Sequence, residues 1–502
     1  MDNQQETDGD ANLVGSGVPG LDHVLRGGFV RARAHLVEGR PGSGKTTIGL
    51  QFLIEGIKCG ERCLYITLSE SKRELYSVAA RHGFDLAGIE IFELIPPELS
   101  LDPSKRQTLL HSSDLELGET VEMVLAEVER LKPDRVVFDS ISEIRLLSQG
   151  ILKYRRQVLA LKSFFLLHDI TVLLLDDLTG EQDDLNLHSV CHGVVRLEQR
   201  VPVYGGERRR LRVIKMRGVQ IRGGYHDLVI RSGGVTVFPR LVAADHPIVE
   251  GGEYAKSNTE LDALMNGGLD RGTTTLIMGP SGTGKSSVAI SYLYSALERG
   301  EAGYLMVFDE TLRVVKERST GMGMPLEPFI RSGLLKLDQI DPAELTPGEL
   351  ASRIQDAVER QDAKVVVVDS LNGYLNAMPE EQYLVLQMHE IITYLNQKGV
   401  VTFLLLANHG VVGQMNSQVD LTYLSDTVVL LRYFEANGRI RRAVSVVKKR
   451  MGTHEDTIRE LTLSSRGVVV GSALEEFSGV LSGIPKYHGT KSALMGTDIG
   501  DE

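Results

Sequence analysis

Only three cysteines, Cys59, Cys63 and Cys191, occur in a chain of 502 residues. Three thiols cannot build a disulfide framework. Cys59 and Cys63 are spaced too widely for a CxxC redox pair, and no second pair completes a zinc site. The scarcity fits a reducing compartment. Also missing is any stretch near the roughly 18 uninterrupted apolar residues that a membrane span requires, so no membrane partner is expected. The opening residues MDNQQETDGDANL are acidic and polar, unlike a secretory signal or transit peptide, and a cytoplasmic location is expected. A basic surplus is absent too. The 55 Lys and Arg face 67 Asp and Glu, a net charge of −12, whereas indiscriminate attraction to nucleic acid needs a local positive excess. The short basic runs at Arg208–Arg212 and Arg439–Arg442 read as solvated faces or strand edges.

What the chain does contain is a long internal repeat. GVPGLDHVLRGGFVRARAHLVEGRPGSGKTT, from Gly17, returns as SNTELDALMNGGLDRGTTTLIMGPSGTGKSS, from Ser257. Lys45 recurs as Lys285, an offset of 285 − 45 = 240, and the aspartate-serine pair ending at Ser140 recurs at Ser370, an offset of 370 − 140 = 230. Lys215-Met216-Arg217 recurs loosely as Lys448-Lys449-Arg450, an offset of 448 − 215 = 233. A period of this size marks a duplicated domain rather than a solenoid. The break falls near Ala244–Glu253, where Pro247 and a glycine pair interrupt the pattern. The expected division is a disordered N-terminus over 1–12, a first domain over 13–246, a second over 247–485 and a flexible tail over 486–502. Within each copy, short apolar runs such as CLYITLSE, RVVFDS and TVLLLDD, or AGYLMVFDE, KVVVVDS and VTFLLLAN, alternate with amphipathic stretches. That alternation predicts α/β domains built on a mostly parallel twisted sheet flanked by helices.

Each copy carries G-x-x-x-x-G-K-[ST] after an apolar strand and before a helix: Gly39–Thr46 and Gly279–Ser286. The glycines let backbone N–H groups close around phosphate oxygens, and the lysine neutralises the β- and γ-phosphate charge. Expected nucleotide contacts are Gly42, Ser43, Gly44, Lys45, Thr46 and Thr47 in the first copy, and Gly282, Thr283, Gly284, Lys285, Ser286 and Ser287 in the second. The Thr46 and Ser286 hydroxyls are the expected Mg²⁺ ligands, and ATP with Mg²⁺ the expected cofactors. Asp139 and Asp369 end apolar strands and read as Walker B carboxylates acting on the metal through its waters; the plainer reading is that each caps the following helix. In RecA-like folds the carboxylate that orients or deprotonates the attacking water sits at the tip of the strand after the P-loop helix. Glu70 and Glu310 occupy that place at an offset of 310 − 70 = 240, with Ser69 and Asp309 before them. Glu70, Asp309 and Glu310 are therefore the candidate catalytic residues, against a plainer role beside a helix N-cap.

Taken together, these residues resemble the KaiC family along nearly the whole chain. The resemblance implies two tandem RecA-like P-loop NTPase domains and a homohexameric ring with ATP at subunit interfaces. Basic residues of a neighbouring subunit then complete each site: Lys215 and Arg217 for the first nucleotide, Lys448 and Arg450 for the second, with Arg442 as a further residue acting in trans. The physical logic is that of an arginine finger; the alternative is that these strands are edges guarded against aggregation. The resemblance also implies Ser/Thr autokinase activity in the second domain. Thr422, in LTYLSDTVVLLRY, matches the serine of the family's acceptor pair, whereas Tyr423 stands where the family has threonine; Ser425 and Thr427 are nearby alternatives. EEFSGVLSGIP, Glu475–Pro485, resembles the segment that receives a regulatory protein, which implies a clock or signalling partner. By the same resemblance the first domain assembles the ring and hydrolyses ATP, and the second phosphorylates its own chain. Two other readings stand beside this one. A DNA-handling recombinase relative draws support from Lys153, Tyr154, Arg155 and Arg156, although the surrounding stretches are mostly apolar or acidic and nucleic acid is not the expected partner. A nucleotide-bound scaffold without turnover is opposed by Glu70 and Glu310.

Overall fold

A computed structural model describes residues 12–94, 113–148, 150–178, 185–202, 205–249, 254–376, 383–408, 422–436, 438–480 and 486–489. Of the two terminal segments expected to lack structure, 1–11 and 490–502 lie outside these residues. Lys486–Tyr487, the start of the expected tail, instead pairs antiparallel with Phe477–Ser478, so a boundary at 485 cuts through a hairpin. The chain divides into two compact units, 1–240 and 241–502. The division precedes residue 246 because Leu241 and Ala243 are buried in the same apolar cluster as Ile391 and Leu395 of the second unit.

The first unit contains strands β1 (Ala34–Gly39), β2 (Cys63–Thr67), β3 (Ile89–Glu93), β4 (Arg135–Asp139), β5 (Thr171–Asp177), β6 (Gly193–Arg200), β7 (Arg208–Met216), β8 (His226–Arg231) and β9 (Gly234–Phe238). The second contains β10 (Thr274–Gly279), β11 (Gly303–Val307), β12 (Leu335–Gln339), β13 (Val365–Asp369), β14 (Val401–Ala407), β15 (Thr427–Ala436), β16 (Arg439–Lys449), β17 (Arg459–Ser464) and β18 (Gly467–Ala473). Both sheets have nine strands, in the orders β3-β2-β4-β5-β1-β6-β7-β8-β9 and β12-β11-β13-β14-β10-β15-β16-β17-β18. The second order is the first with every label raised by nine. From β3 to β6, and from β12 to β15, neighbours are parallel; the last three pairings of each sheet are antiparallel.

The parallel strands are buried on both faces, which is why they read as unbroken Val, Ile and Leu. Alternation divides them between two apolar layers. Leu36, Ile66, Val136, Phe138 and Leu174 face one layer, and Val37, Tyr65, Val137, Leu173 and Leu175 face the other. Four helices of the first unit matter for the site: α1 (Lys45–Lys58), α2 (Lys72–His82), α3 (Ser113–Leu131) and α4 (Ile151–Leu167). Their counterparts are α5 (Lys285–Glu298), α6 (Leu312–Gly321), α7 (Pro347–Arg360) and α8 (Leu384–Gln397). Among the described residues no helix is long and apolar enough to cross a membrane.

Both sheets carry a β-bulge at the same place. Val194 pairs with Lys215 but Val195 pairs with Val213, leaving Ile214 over; Val428 pairs with Lys448 and Val429 with Val446, leaving Val447 over. An extra residue of this kind bends and twists a strand locally.

Two buried histidines distinguish the first unit. Burial pushes His35, on β1, and His226, on β8, down to about 4 from the ordinary 6.5. Thr275 follows Thr274 on β10 as His35 follows Ala34 on β1, and Arg459, paired with Val444, stands where His226 pairs with Leu211. Both imidazoles are neutral in the folded unit and take up protons on unfolding below their unfolded value. Their contribution is present in full above pH 6.5 and is lost as the pH falls toward 4, at most about 3 kcal/mol each. The first unit is expected to lose resistance to urea between pH 6.5 and 4.5 while the second changes less. The chain has no tryptophan, so Phe84→Trp and Phe329→Trp, at half-buried positions beside the first and second cores, report each unit separately. Parallel loss at both probes would remove the histidine explanation.

Candidate active site

The two P-loops lie at the carboxyl ends of β1 and β10, central strands of their sheets, where α/β folds leave a crevice for ligands. Gly42 and Gly44 have φ of 80° and 103°, and Gly282 and Gly284 have φ of 78° and 102°. These left-handed conformations suit glycine and turn successive N–H groups into one concavity. Thr47 and Ser287 are buried in the first turns of α1 and α5, and the Ser43 and Thr283 side chains are buried within the loops. Thr283 Oγ1 donates to the Pro280 carbonyl at 2.8 Å, whereas Ser43 Oγ is buried with no partner among the described residues. Lys45 Nζ donates to the carbonyls of Gly39 and Arg40 at 2.8 and 3.1 Å. Lys285 Nζ donates to those of Gly279 and Pro280, both at 2.9 Å.

Asp139 does not cap the helix that follows it. Its Oδ2 accepts from Thr46 Oγ1 at 2.9 Å and from the Tyr65 hydroxyl at 2.5 Å. Burial raises the Asp139 carboxyl above its ordinary value, and these two hydrogen bonds pull it back. Asp369 is likewise raised by burial, with Ser286 as the hydrogen bond that lowers it. Each P-loop hydroxyl is thus set against a buried carboxylate, an all-oxygen donor set suited to Mg²⁺. The peptide bonds Asp139–Ser140 and Asp369–Ser370 are both cis.

Tyr65 has no counterpart in the second site. The two strands differ by one position: Cys63-Leu64-Tyr65 stands where Gly303-Tyr304-Leu305 stands. Because successive side chains alternate across a sheet, Tyr304 points to the other layer and donates to Asp338 Oδ2 at 2.8 Å.

Glu70 and Glu310 both precede a helix N-cap, yet neither serves the cap. Ser71 and Glu74 form a capping box at the start of α2, which leaves the Glu70 carboxylate to the site. Its Oε2 is buried without a hydrogen-bond partner among the described residues. Burial, then the neighbouring Asp139, raises the Glu70 carboxyl above its ordinary range. A base in this condition is poised to take a proton. Glu310 is held differently: both its oxygens accept from Arg318 Nη1 at 2.6 Å. Asp309 Oδ2 accepts from Ser370 Oγ at 2.5 Å.

The basic residues expected to act between subunits contact their own chain. Lys215 Nζ donates to the His188 carbonyl and Arg217 Nη2 to that of Ser189 at 2.8 Å. Lys448 Nζ donates to the carbonyls of Thr422 and Ser425, both at 2.7 Å, and Arg450 Nη2 to that of Tyr423 at 2.8 Å. Arg442 Nε reaches the Gly282 carbonyl of its own P-loop at 3.2 Å. Arg209 Nε makes the same contact with Gly42 at 3.3 Å. Sequence reasoning missed Arg209, although 442 − 209 = 233 is the offset of the Lys-x-Arg element. Of the candidate acceptors, Ser425 and Thr427 are buried while Thr422 is half-buried. The nucleic-acid reading loses its aromatic: Tyr154 is buried, with the Arg145 guanidinium over its ring at 5.3 Å. In its place α4 exposes Ile151, Leu152 and Leu167, each more than two-thirds accessible.

Comparison with known proteins matches residues 14–242 and 256–475 to the KaiC ATPase family. Among similar curated proteins, the circadian clock protein KaiC3 of Synechocystis sp. is 25% identical over 496 residues, covering 96% of either chain. The circadian clock oscillator protein KaiC of Parathermosynechococcus lividus is 25% identical over 479 residues, covering 94% of this chain and 87% of its own. That of Prochlorococcus marinus subsp. pastoris is 26% identical over 483 residues, covering 94% and 93%.

Proposed function

This chain belongs to the KaiC family of ATPases, and on that premise we propose that it forms a ring of identical subunits that hydrolyses Mg-ATP at the first site and phosphorylates its own Thr422 at the second, as a timing or signalling switch. Thr46 with Asp139 and Ser286 with Asp369 would hold the magnesium ion, which supplies charge neutralisation along the phosphates. Lys45 and Lys285 bind the phosphate chain. Glu70 takes the proton of the attacking water, and Glu310 that of the Thr422 hydroxyl.

The observation that carries the autokinase reading is the grip of Lys448 on the carbonyls of Thr422 and Ser425. The strand that resembles the family's interface element is the one that fixes the acceptor segment. Among the three candidate hydroxyls Thr422 is the accessible one. The clock and signalling role, and a regulatory partner, follow from the similarity to proteins named as clock components.

The test is intact mass and phosphopeptide mapping after incubation with Mg-ATP, for the unaltered chain, Thr422→Ala and Glu310→Gln. Phosphate on Thr422, absent from Thr422→Ala and reduced in Glu310→Gln, is the expected result. Phosphate release without any modified peptide would leave a ring ATPase whose output is conformational.

A further inference from the structure

The two sites differ in one carboxylate at the tip of the strand beside the P-loop strand. β5 lies next to β1, and Asp177, its last residue, stands opposite Gly39. In the second unit the same position on β14, opposite Gly279, is Ala407. Asp177 is held from its backbone: its N–H donates to Ser142 Oγ at 2.8 Å, and that hydroxyl donates to Asp176 Oδ1 at 2.9 Å. Asp176 is buried and fully engaged by Arg145, so it does not compete for the site. The Asp177 side chain reaches inward, and its Oδ1 lies 2.7 Å from Lys45 Nζ.

An ammonium has three donors. Those of Lys45 are spent on the carbonyls of Gly39 and Arg40 and on Asp177. Lys285 has the two equivalent carbonyls, of Gly279 and Pro280, and no carboxylate in contact among the described residues. An incoming phosphate chain takes the same donor that Asp177 holds, and it brings negative charge beside a carboxylate that the backbone cannot easily carry away. We propose that Asp177 is the affinity-determining residue of the first site: an internal anion that occupies the P-loop lysine until a di- or triphosphate displaces it, making the first site the weaker binder of the two. The effect is confined to ligands whose phosphates reach the lysine. A nucleoside monophosphate does not reach Lys45 and is not expected to sense the carboxylate. The proposal rests on the reading that both P-loops bind nucleotide.

The experiment titrates the full-length chain with fluorescent analogues of ADP and AMP, with Lys285→Ala silencing the second site or Lys45→Ala the first. In the first-site form, Asp177→Ala and the nearly isosteric Asp177→Asn are each expected to tighten ADP binding by about tenfold, the scale of one charge-assisted hydrogen bond, while AMP binding stays as it was. In the second-site form, Ala407→Asp is expected to weaken ADP binding by a similar factor. This reciprocal substitution also tests the idea should the Asp177 variants fold poorly. Weaker or unchanged ADP binding in both Asp177 variants overturns the proposal, as does an equal shift for AMP, which would mark a general change of pocket shape. Absence of ADP binding at both sites of the unaltered chain would overturn the P-loop reading itself.

Discussion

Glu70→Gln is expected to lower steady ATP hydrolysis by about 10²- to 10⁴-fold, the range over which a positioned general base acts. Glutamine keeps the shape and removes the proton acceptor. The capping box of Ser71 and Glu74 that starts α2 does not involve Glu70, so the local fold is expected to survive. The drop is expected in the whole chain, not in half of it, because the second base is held by Arg318 and contributes little turnover of its own. A phosphate-release assay at saturating Mg-ATP, comparing Glu70→Gln with Glu310→Gln, measures this directly. Equal losses in the two variants would show that both sites hydrolyse alike. The raised Glu70 carboxyl adds a sign. The base works only when deprotonated, so turnover falls as the pH drops through its elevated value, and the fall begins at higher pH than an ordinary glutamate would give.

Arg318→Met, placed on the Glu70→Gln background, is expected to raise phosphate release at the second site by about tenfold or more. The two hydrogen bonds from Arg318 to Glu310 are charge-assisted and half-exposed. A carboxylate engaged in this way must give up Arg318 before it can accept a proton. Among the described residues the first site has no such clamp: 318 − 240 = 78, and residue 78 is Val78 on α2. Methionine keeps the length of the stem so that packing around α6 changes little. A fall in phosphate release instead would assign Arg318 to the nucleotide, since its Nε and Nη2 are buried without partners among the described residues and have donors to spare.

Much of the site was legible because its parts are local in sequence. A P-loop declares itself by spacing over eight residues, and the Walker B aspartates by their place at the end of a buried strand. What escaped depends on which face a side chain takes. Tyr65 and Tyr304 both lie in the strand after the P-loop helix, but a displacement of one position sends them to opposite layers. The clamp of Arg318 on Glu310 joins residues eight apart across a helix start, and no periodicity announces it. Asp177 was visible only as the polar end of an apolar run. Leu241 and Ala243, expected at the end of the first domain, are buried in the core of the second unit.

The bulge at Ile214 and Val447 changes how the basic strands must be understood. Arg209 and Lys215 are separated by an even number of steps, and on a regular strand they would share a side. Instead Leu211 and Val213 join the layer that holds α1, while Ile214 packs against the opposite layer. Lys215 pairs with Val194 of that opposite layer. Arg442 and Lys448 are parted in the same way. A ribbon that reverses its facing once along its length has two fronts. One front attends to the phosphate loop of its own domain, and the other braces the segment that, in the second copy, bears Thr422. The two fronts are joined by one antiparallel ladder, β6 with β7 in the first copy and β15 with β16 in the second.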